Sequence, residues 1–133
     1  MSHRHISPFL QKSLTLFPAV AVVGARQVGK TTLLHSAPGH WARYDMEVQS
    51  DRMQVANDPD LFFRFANGPV AIDEAQLAPA IFPALRAAID NHRAQKGTYL
   101  LSGSSSPDLV KSISESLSGR IALIELGPFS LAE

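Results

Sequence analysis

Residues 24–31, GARQVGKT, place two glycines, a lysine and a threonine in the spacing G-x-x-x-x-G-K-[ST]. Between a strand and a helix, such a loop points successive backbone N–H groups at a phosphate, and its glycines permit the close approach. The start of the helix adds unpaired N–H groups and the positive end of its dipole. The pattern therefore predicts a phosphate-binding loop rather than a flexible turn with an exposed lysine.

The loop residues are expected to hold the phosphates and the metal ion of a bound nucleotide. Lys30 would reach the β and γ phosphates, and the hydroxyl of Thr31 would be a Mg²⁺ ligand. The pattern does not specify Arg26, which is open to contact with phosphate, with a neighbouring subunit or with water. The predicted nucleotide-binding residues are consecutive: Gly24, Ala25, Arg26, Gln27, Val28, Gly29, Lys30, Thr31 and Thr32.

Two acids, Asp73 and Glu74, directly follow the apolar residues 70–72. Asp73 would hold Mg²⁺ through water, because this ion keeps part of its hydration shell. Glu74 would orient and polarise the water that attacks the γ-phosphate. The alternative for Glu74 is a helix cap or a solvated side chain. Since nucleotide binding alone has little need of a base beside the metal ligand, the second acid favours hydrolysis.

Three further polar residues are candidates for the same reaction. Ser102 and Ser104 follow the fourth apolar segment, and either hydroxyl would contact the γ-phosphate or the attacking water if the fourth strand lies beside the phosphate loop. Serines also form turns and caps, so this role stays open against the simpler one. Arg120 is a candidate arginine finger, acting on its own site or on a neighbour's, and the alternative is a cation near a helix C-terminus.

Short apolar segments alternate with helical patterns along the chain. Ser50 is predicted to cap one helix, while Asp58 with Pro59, and Ser106 with Pro107, are predicted to begin two others. Such alternation predicts an α/β fold with a mostly parallel sheet, in which ligands bind at the carboxyl ends of the strands. The predicted strands cover residues 18–24, 41–46, 68–75, 98–104 and 120–126.

The composition is that of one globular domain. The chain has 133 residues, of which 45% are hydrophobic and 18% are charged, with 12 basic residues balancing 12 acidic ones. Because the charges balance, the protein has no overall positive field that would attract it to nucleic acid. The absence of cysteine excludes disulfides and thiolate metal sites. No apolar segment approaches the roughly 20 residues that span a bilayer. We therefore expect a cytoplasmic protein without membrane insertion, whose His3 and His5 lie in a solvated, fraying end.

Five stretches together resemble the N-terminal ATPase domain of a prokaryotic family of AAA-type P-loop ATPases, which usually carry a C-terminal domain of unknown function. The stretches are GARQVGKTTLL, VAIDEAQ, FPALRAAID, YLLSGSSS and KSISESLSGRIALIELGPFSLAE. The resemblance implies a three-layer P-loop fold with the five-stranded sheet in the order 5-1-4-3-2. It also places Gln76 in an Asp-Glu-x-Gln signature without giving it a role. Ala25 departs from the family's frequent proline.

The resemblance implies Mg²⁺-dependent ATP binding and hydrolysis by residues 1–133 as one ATPase domain. Relatives continue after the fifth strand, so we expect a domain that lacks their C-terminal part. The alternative function is an ATP-binding regulatory or interaction module with negligible turnover. A GTP switch is disfavoured because no Asn-Lys-x-Asp segment is present. A homo-oligomer and a nucleic-acid or protein client are left open.

Overall fold

A computed structural model describes residues 3–24, 34, 37, 39–91 and 95–126, with the side chains of residues 3–7 left out. Most of the phosphate loop, residues 25–32, lies outside these ranges. The helix expected after the loop also lies outside them, except for Leu34 and Ala37. Both of these residues are buried.

Five parallel strands form one sheet. The strands are β1 (Ala19–Gly24), β2 (Ala42–Asp45), β3 (Val70–Asp73), β4 (Tyr99–Gly103) and β5 (Ile121–Leu126). Their order across the sheet is β2-β3-β4-β1-β5, and every neighbouring pair is parallel. This confirms the expected order 5-1-4-3-2, read from the other edge. The carboxyl ends of β3, β4 and β1 therefore lie side by side.

Helices occupy both faces of the sheet. They are α1 (His3–Leu16), α2 (Gln49–Ala56), α3 (Pro59–Phe65), α4 (Ile81–Asn91) and α5 (Pro107–Leu117), and a single 3-10 turn spans Ala75–Leu77. Leu10 and Leu14 pack with β1 residues on one face, whereas residues of α2 to α5 fill the core on the other. This three-layer arrangement confirms the predicted fold class.

The amino-terminal helix α1 is an element that the sequence analysis does not predict. The expectation that His3 and His5 are solvated stays a prediction, because their side chains lie outside the described part of the chain. Leu10 and Leu14 lie four residues apart, on the same side of the helix, and both are buried against the sheet. Burial of these two side chains stabilises a helix that the polar residues around them and Pro8 argue against. Tertiary contact outweighs local composition here.

Helix starts follow the cap rules in two of three predicted cases. The side chain of Asp58 accepts a hydrogen bond from the Leu61 N–H at 3.2 Å, and Ser106 accepts one from the Leu109 N–H at 3.3 Å. A proline occupies the first turn after each cap. The prediction that Ser50 caps a helix is wrong, because α2 begins one residue earlier, at Gln49, with Val48 in the cap position.

The central strands are buried on both faces, which explains their unbroken apolar sequences. All six residues of β1 and all five of β4 are buried. Burial also raises the pKa of the Tyr99 phenol at the start of β4. Its ring meets that of Phe63 edge to face, with centroids 5.6 Å apart. The core is thus continuous from the sheet into α3, and the polar residues are left to the strand ends.

Candidate functional site

Three of the polar residues singled out in the sequence, Asp73, Glu74 and Ser102, meet at the carboxyl edge of the sheet. Asp73 ends β3, Gly24 ends β1, and Ser102 lies near the end of β4, which runs between the other two strands. The register pairs Val22 with Ser102 and Ile72 with Leu101. β4 therefore lies between β1 and β3. This is the arrangement in which Ser102 and Ser104 would lie between the phosphate loop and the acidic strand.

Ser102 connects the two acids. Its hydroxyl donates a hydrogen bond to Oδ1 of Asp73 and accepts one from the backbone N–H of Glu74 at 3.1 Å. The same N–H also donates to Oδ1 of Asp73, at 3.1 Å. Ser102 is 1% exposed, so water does not compete for these contacts. Two donors on one oxygen fix the orientation of the Asp73 carboxylate at the strand end.

Glu74 has a backbone conformation that its residue type rarely adopts. Its φ of 56° and ψ of 50° lie in the left-handed region, and it is the non-glycine residue with positive φ in the described part of the chain. This conformation lets the chain leave β3 and enter the 3-10 turn, where the Leu77 N–H donates to the Glu74 carbonyl at 3.1 Å. Although it is charged, the residue is only 8% exposed. Strain and burial of this kind concentrate at functional sites.

Gln76 bridges the two strand ends with its side-chain amide. Its Nε2 donates to Oε1 of Glu74 at 2.7 Å, and its Oε1 accepts from the Ser104 backbone N–H at 3.2 Å. Because a backbone N–H can only donate, the oxygen of the amide must face Ser104. Reasoning from residue types assigned no role to Gln76. The only signal was its place two residues after Glu74 in the family signature.

Arg120 lies away from this edge. It precedes β5, whose first residue, Ile121, pairs with Ala19 at the start of β1. Five residue steps of about 3.3 Å each separate Ala19 from Gly24, or roughly 17 Å. The guanidinium donates to both carboxylate oxygens of Asp90, at 2.7 and 3.2 Å. The hydrogen bonds that Arg120 donates to Asp90 raise the pKa of the guanidinium. The structure therefore argues against Arg120 as a finger for its own site.

A family model described as an AAA domain matches residues 16–133. The chain belongs to the AAA domain family. This membership, with the parallel sheet in the order given above, identifies an AAA-type P-loop ATPase domain. A nucleotide-binding function of the ATPase type follows from the family.

Two curated relatives and one solved structure are similar to this AAA domain. Uncharacterized protein Mb2031c of Mycobacterium bovis and uncharacterized protein Rv2008c of Mycobacterium tuberculosis are each 38% identical over 137 residues. The match covers all of this chain and 30% of each relative, so the chain spans about a third of their length. The crystal structure of a DNA replication initiation factor shares the fold, with a TM-score of 0.60 at 13% identity over 94% of this chain and 46% of that one.

The residues at the sheet edge of this AAA domain suit Mg²⁺. Mg²⁺ prefers oxygen ligands, and in nucleotide sites it takes one or two carboxylates with water and phosphate oxygens. Asp73 supplies such a carboxylate, half-buried and oriented by Ser102. Within the described ranges no three His, Cys, Asp or Glu residues cluster as an all-protein metal site would require. One oriented carboxylate is what a Mg²⁺ ion would need from the protein if phosphates and water supplied its other ligands.

No helix in the described part of this AAA domain is long and apolar enough to span a membrane.

Two roles for Arg120 stay open. One is a cation near a helix C-terminus, where its guanidinium donates to the Ser118 carbonyl at 3.0 Å. The other is a finger offered to a neighbouring subunit, and a mixing experiment tests it. We expect Arg120→Ala to lower ATP turnover, and mixing it with inactive Lys30→Ala protein to restore part of the activity in mixed oligomers. A trans finger acts on developing charge in the neighbour's site, so each variant supplies what the other lacks. If both proteins fold and assemble without any rescue, the trans finger is excluded.

Proposed function

We propose that this AAA domain binds Mg²⁺·ATP and hydrolyses the bond between its β and γ phosphates. The observation that carries the proposal is the arrangement of Asp73 and Glu74 around the buried hydroxyl of Ser102. One acid is oriented by two donors, and the next is held in a left-handed backbone conformation beside it. β4 separates this pair from β1, which ends at Gly24, the first residue of the phosphate-loop pattern. Binding and hydrolytic groups are thus assigned to one sheet edge.

Each group has a stated role in this proposal. Lys30 and the loop N–H groups bind the phosphates, while Thr31 and Asp73 hold Mg²⁺, Asp73 through water. When bound, the ion neutralises charge on the phosphate oxygens. Glu74 accepts a proton from the water that attacks phosphorus. Of the two candidate serines, Ser104 contacts the γ-phosphate or that water, because the buried hydroxyl of Ser102 is already engaged with Asp73. ADP and phosphate are then released.

Loss of the loop lysine tests the binding part of the proposal. We expect Lys30→Ala to weaken Mg²⁺·ATP binding by about 10- to 100-fold, since a hydrogen bond to a charged group contributes about 1.5–3 kcal/mol. Calorimetric titration measures the Kd, and phosphate release measures turnover. Lys111→Ala removes an exposed lysine of α5 and serves as the matched control. Equal affinity in Lys30→Ala and the parent would contradict the binding site.

The second candidate is an ATP-binding module with negligible turnover. It is favoured by the 2.7 Å hydrogen bond that Glu74 accepts from Gln76, because this bond gives the buried acid a structural partner that does not depend on hydrolysis. Turnover and binding measured on the same parent protein separate the two. Tight binding with no phosphate release above the Lys30→Ala background would select the module.

Four wider expectations remain predictions. The first is that residues 1–133 form one ATPase domain. The second is a homo-oligomer, and the third is a nucleic-acid or protein client for the ATP cycle. The fourth, a cytoplasmic location, comes from composition alone. Measuring ATP hydrolysis by residues 1–133, with and without nucleic acid, addresses the first and third together.

A further inference from the structure

We propose that Gln76 is a positioning residue that ties the carboxylate of Glu74 to the turn after β4. The inference rests on the proposed function, since it assigns Glu74 the proton-accepting role. It adds a residue to which that mechanism gives no task. In this proposal the amide of Gln76 holds the Glu74 carboxylate in place. Because the amide is also bonded to the Ser104 backbone, its position changes with that of the segment expected to contact the γ-phosphate.

The hydrogen bonds of Gln76 run in one direction through the side chain. The Ser104 N–H donates to Oε1, and Nε2 donates to Glu74, so a single planar amide spans the ends of β3 and β4. Because the amide is rigid, a displacement of the Ser104 backbone turns the same group that holds the carboxylate. A base held within a few tenths of an ångström of its working position reacts far faster than one that is misplaced by 1 Å.

Gly103 leaves room for this link. A Cβ atom at this position would lie 2.8 Å from Oε1 of Gln76 and 2.4 Å from Cδ2 of Leu109, both too close for normal contact. Leu109 is buried in the core where α5 begins, so it has little freedom to yield. The absence of a side chain at Gly103 therefore lets the amide lie against β4. This packing fixes Gln76 from the side while its two hydrogen bonds fix it at the end.

A simpler alternative is that Gln76 only stabilises the turn after β4 through its hydrogen bond with Ser104. Two substitutions separate the roles because they remove different hydrogen bonds. Gln76→Met has similar length and loses both bonds. Gln76→Glu keeps an acceptor for the Ser104 N–H but loses the donor and brings a negative charge against Glu74. A turn stabiliser predicts that only Gln76→Met has an effect, whereas a positioning residue predicts that both variants lose turnover.

The experiment measures turnover, Kd for Mg²⁺·ATP and amide hydrogen exchange at Ser104 in the 133-residue chain. We expect both variants to lower kcat by about 10- to 100-fold, the range seen when groups that orient a reactive ligand are removed, with the Kd changed less than about threefold. Exchange at Ser104 should rise about 3- to 10-fold in Gln76→Met, in line with the loss of one hydrogen bond, and stay near the parent value in Gln76→Glu. Gln54→Met and Gln54→Glu make the same chemical changes on the exposed surface of α2 and serve as controls.

Gly103→Ala provides a variant that leaves every hydrogen-bonding group in place. The new methyl group would push the amide from its position, so kcat should fall and Ser104 exchange should rise, as in Gln76→Met. A folded Gly103→Ala protein is recognised by a cooperative thermal transition. Agreement between these two variants would assign the effect to the position of the amide rather than to a change of charge.

The outcomes distinguish the inference from the function on which it rests. A parent chain without phosphate release overturns the proposed function, and the inference falls with it. An active parent with unchanged kcat in both Gln76 variants overturns the inference alone. Unchanged Ser104 exchange in Gln76→Met also overturns it, whatever the turnover, because the bond between Gln76 and Ser104 would then be absent in solution.

Discussion

Glu74→Gln lowers the rate of ATP hydrolysis by about 10²- to 10⁴-fold, the usual contribution of a general base, and leaves Mg²⁺·ATP binding within about threefold of the parent. The substitution keeps the length of the side chain and an oxygen that can accept the hydrogen bond from Gln76. It removes only the ability to take a proton from water. The result is measured as kcat from phosphate release, beside the Kd from calorimetry.

The control for this prediction is Glu115→Gln, which makes the same change on the exposed surface of α5. It should leave both quantities unchanged. Turnover at the parental rate in Glu74→Gln would show that another group activates the water. The role of activating the water would then belong to another group at the same edge, such as the hydroxyl of Ser104.

The backbone of Glu74 strengthens the case for a functional residue. A glycine or asparagine would adopt φ of 56° with less strain, and a non-glycine residue in this region costs roughly 1 kcal/mol or more. Glu74 does occupy the cap position of the 3-10 turn, but its side chain makes no cap hydrogen bond, so capping gives no reason to accept that cost. At 8% exposure, the other alternative of a solvated side chain does not fit. This backbone conformation also turns the chain directly from β3 into the 3-10 turn that contains Gln76.

The order of the sheet and the edge that carries the site could be predicted, for two different reasons. Strands such as β1 are buried on both faces, so their apolar sequences are continuous and easy to recognise. Asp73 ends β3 and Ser102 lies near the end of β4, and parallel strands bring such residues to one edge. The order itself came from the family resemblance, since no local pattern specifies which strands are neighbours.

What could not be predicted depends on contacts between distant residues. Helix α1 forms because Leu10 and Leu14 find a sheet face, and the polar sequence around them gives no sign of that face. The bridge from Gln76 to Ser104 joins residues 28 positions apart. Arg120 was considered as a finger from its residue type alone. Its position at the opposite edge follows from the register of β5 on β1.

Asp73→Asn raises the Mg²⁺ concentration needed for half-maximal ATP hydrolysis by about 10- to 100-fold, the typical effect of losing a group that acts on a metal ion through an intervening ligand. The asparagine oxygen still accepts from the Ser102 hydroxyl and from the Glu74 N–H, so the strand end keeps its structure while losing its negative charge. Asp73→Ala would be a poorer test. It would leave the buried Ser102 hydroxyl without its acceptor, at a cost of about 1–3 kcal/mol in stability.

The measurement is a Mg²⁺ titration of phosphate release at fixed ATP, with thermal unfolding as the check on the fold. Asp60→Asn, on the exposed surface of α3, is the matched control and should reproduce the parental titration. ATP binding in the presence of a chelator should be equal in Asp73→Asn and the parent, because Asp73 acts on the ion rather than on the phosphates. A parental Mg²⁺ requirement in a folded Asp73→Asn protein would mean that its carboxylate only anchors Ser102 and Glu74. The metal would then be held from the phosphate loop alone.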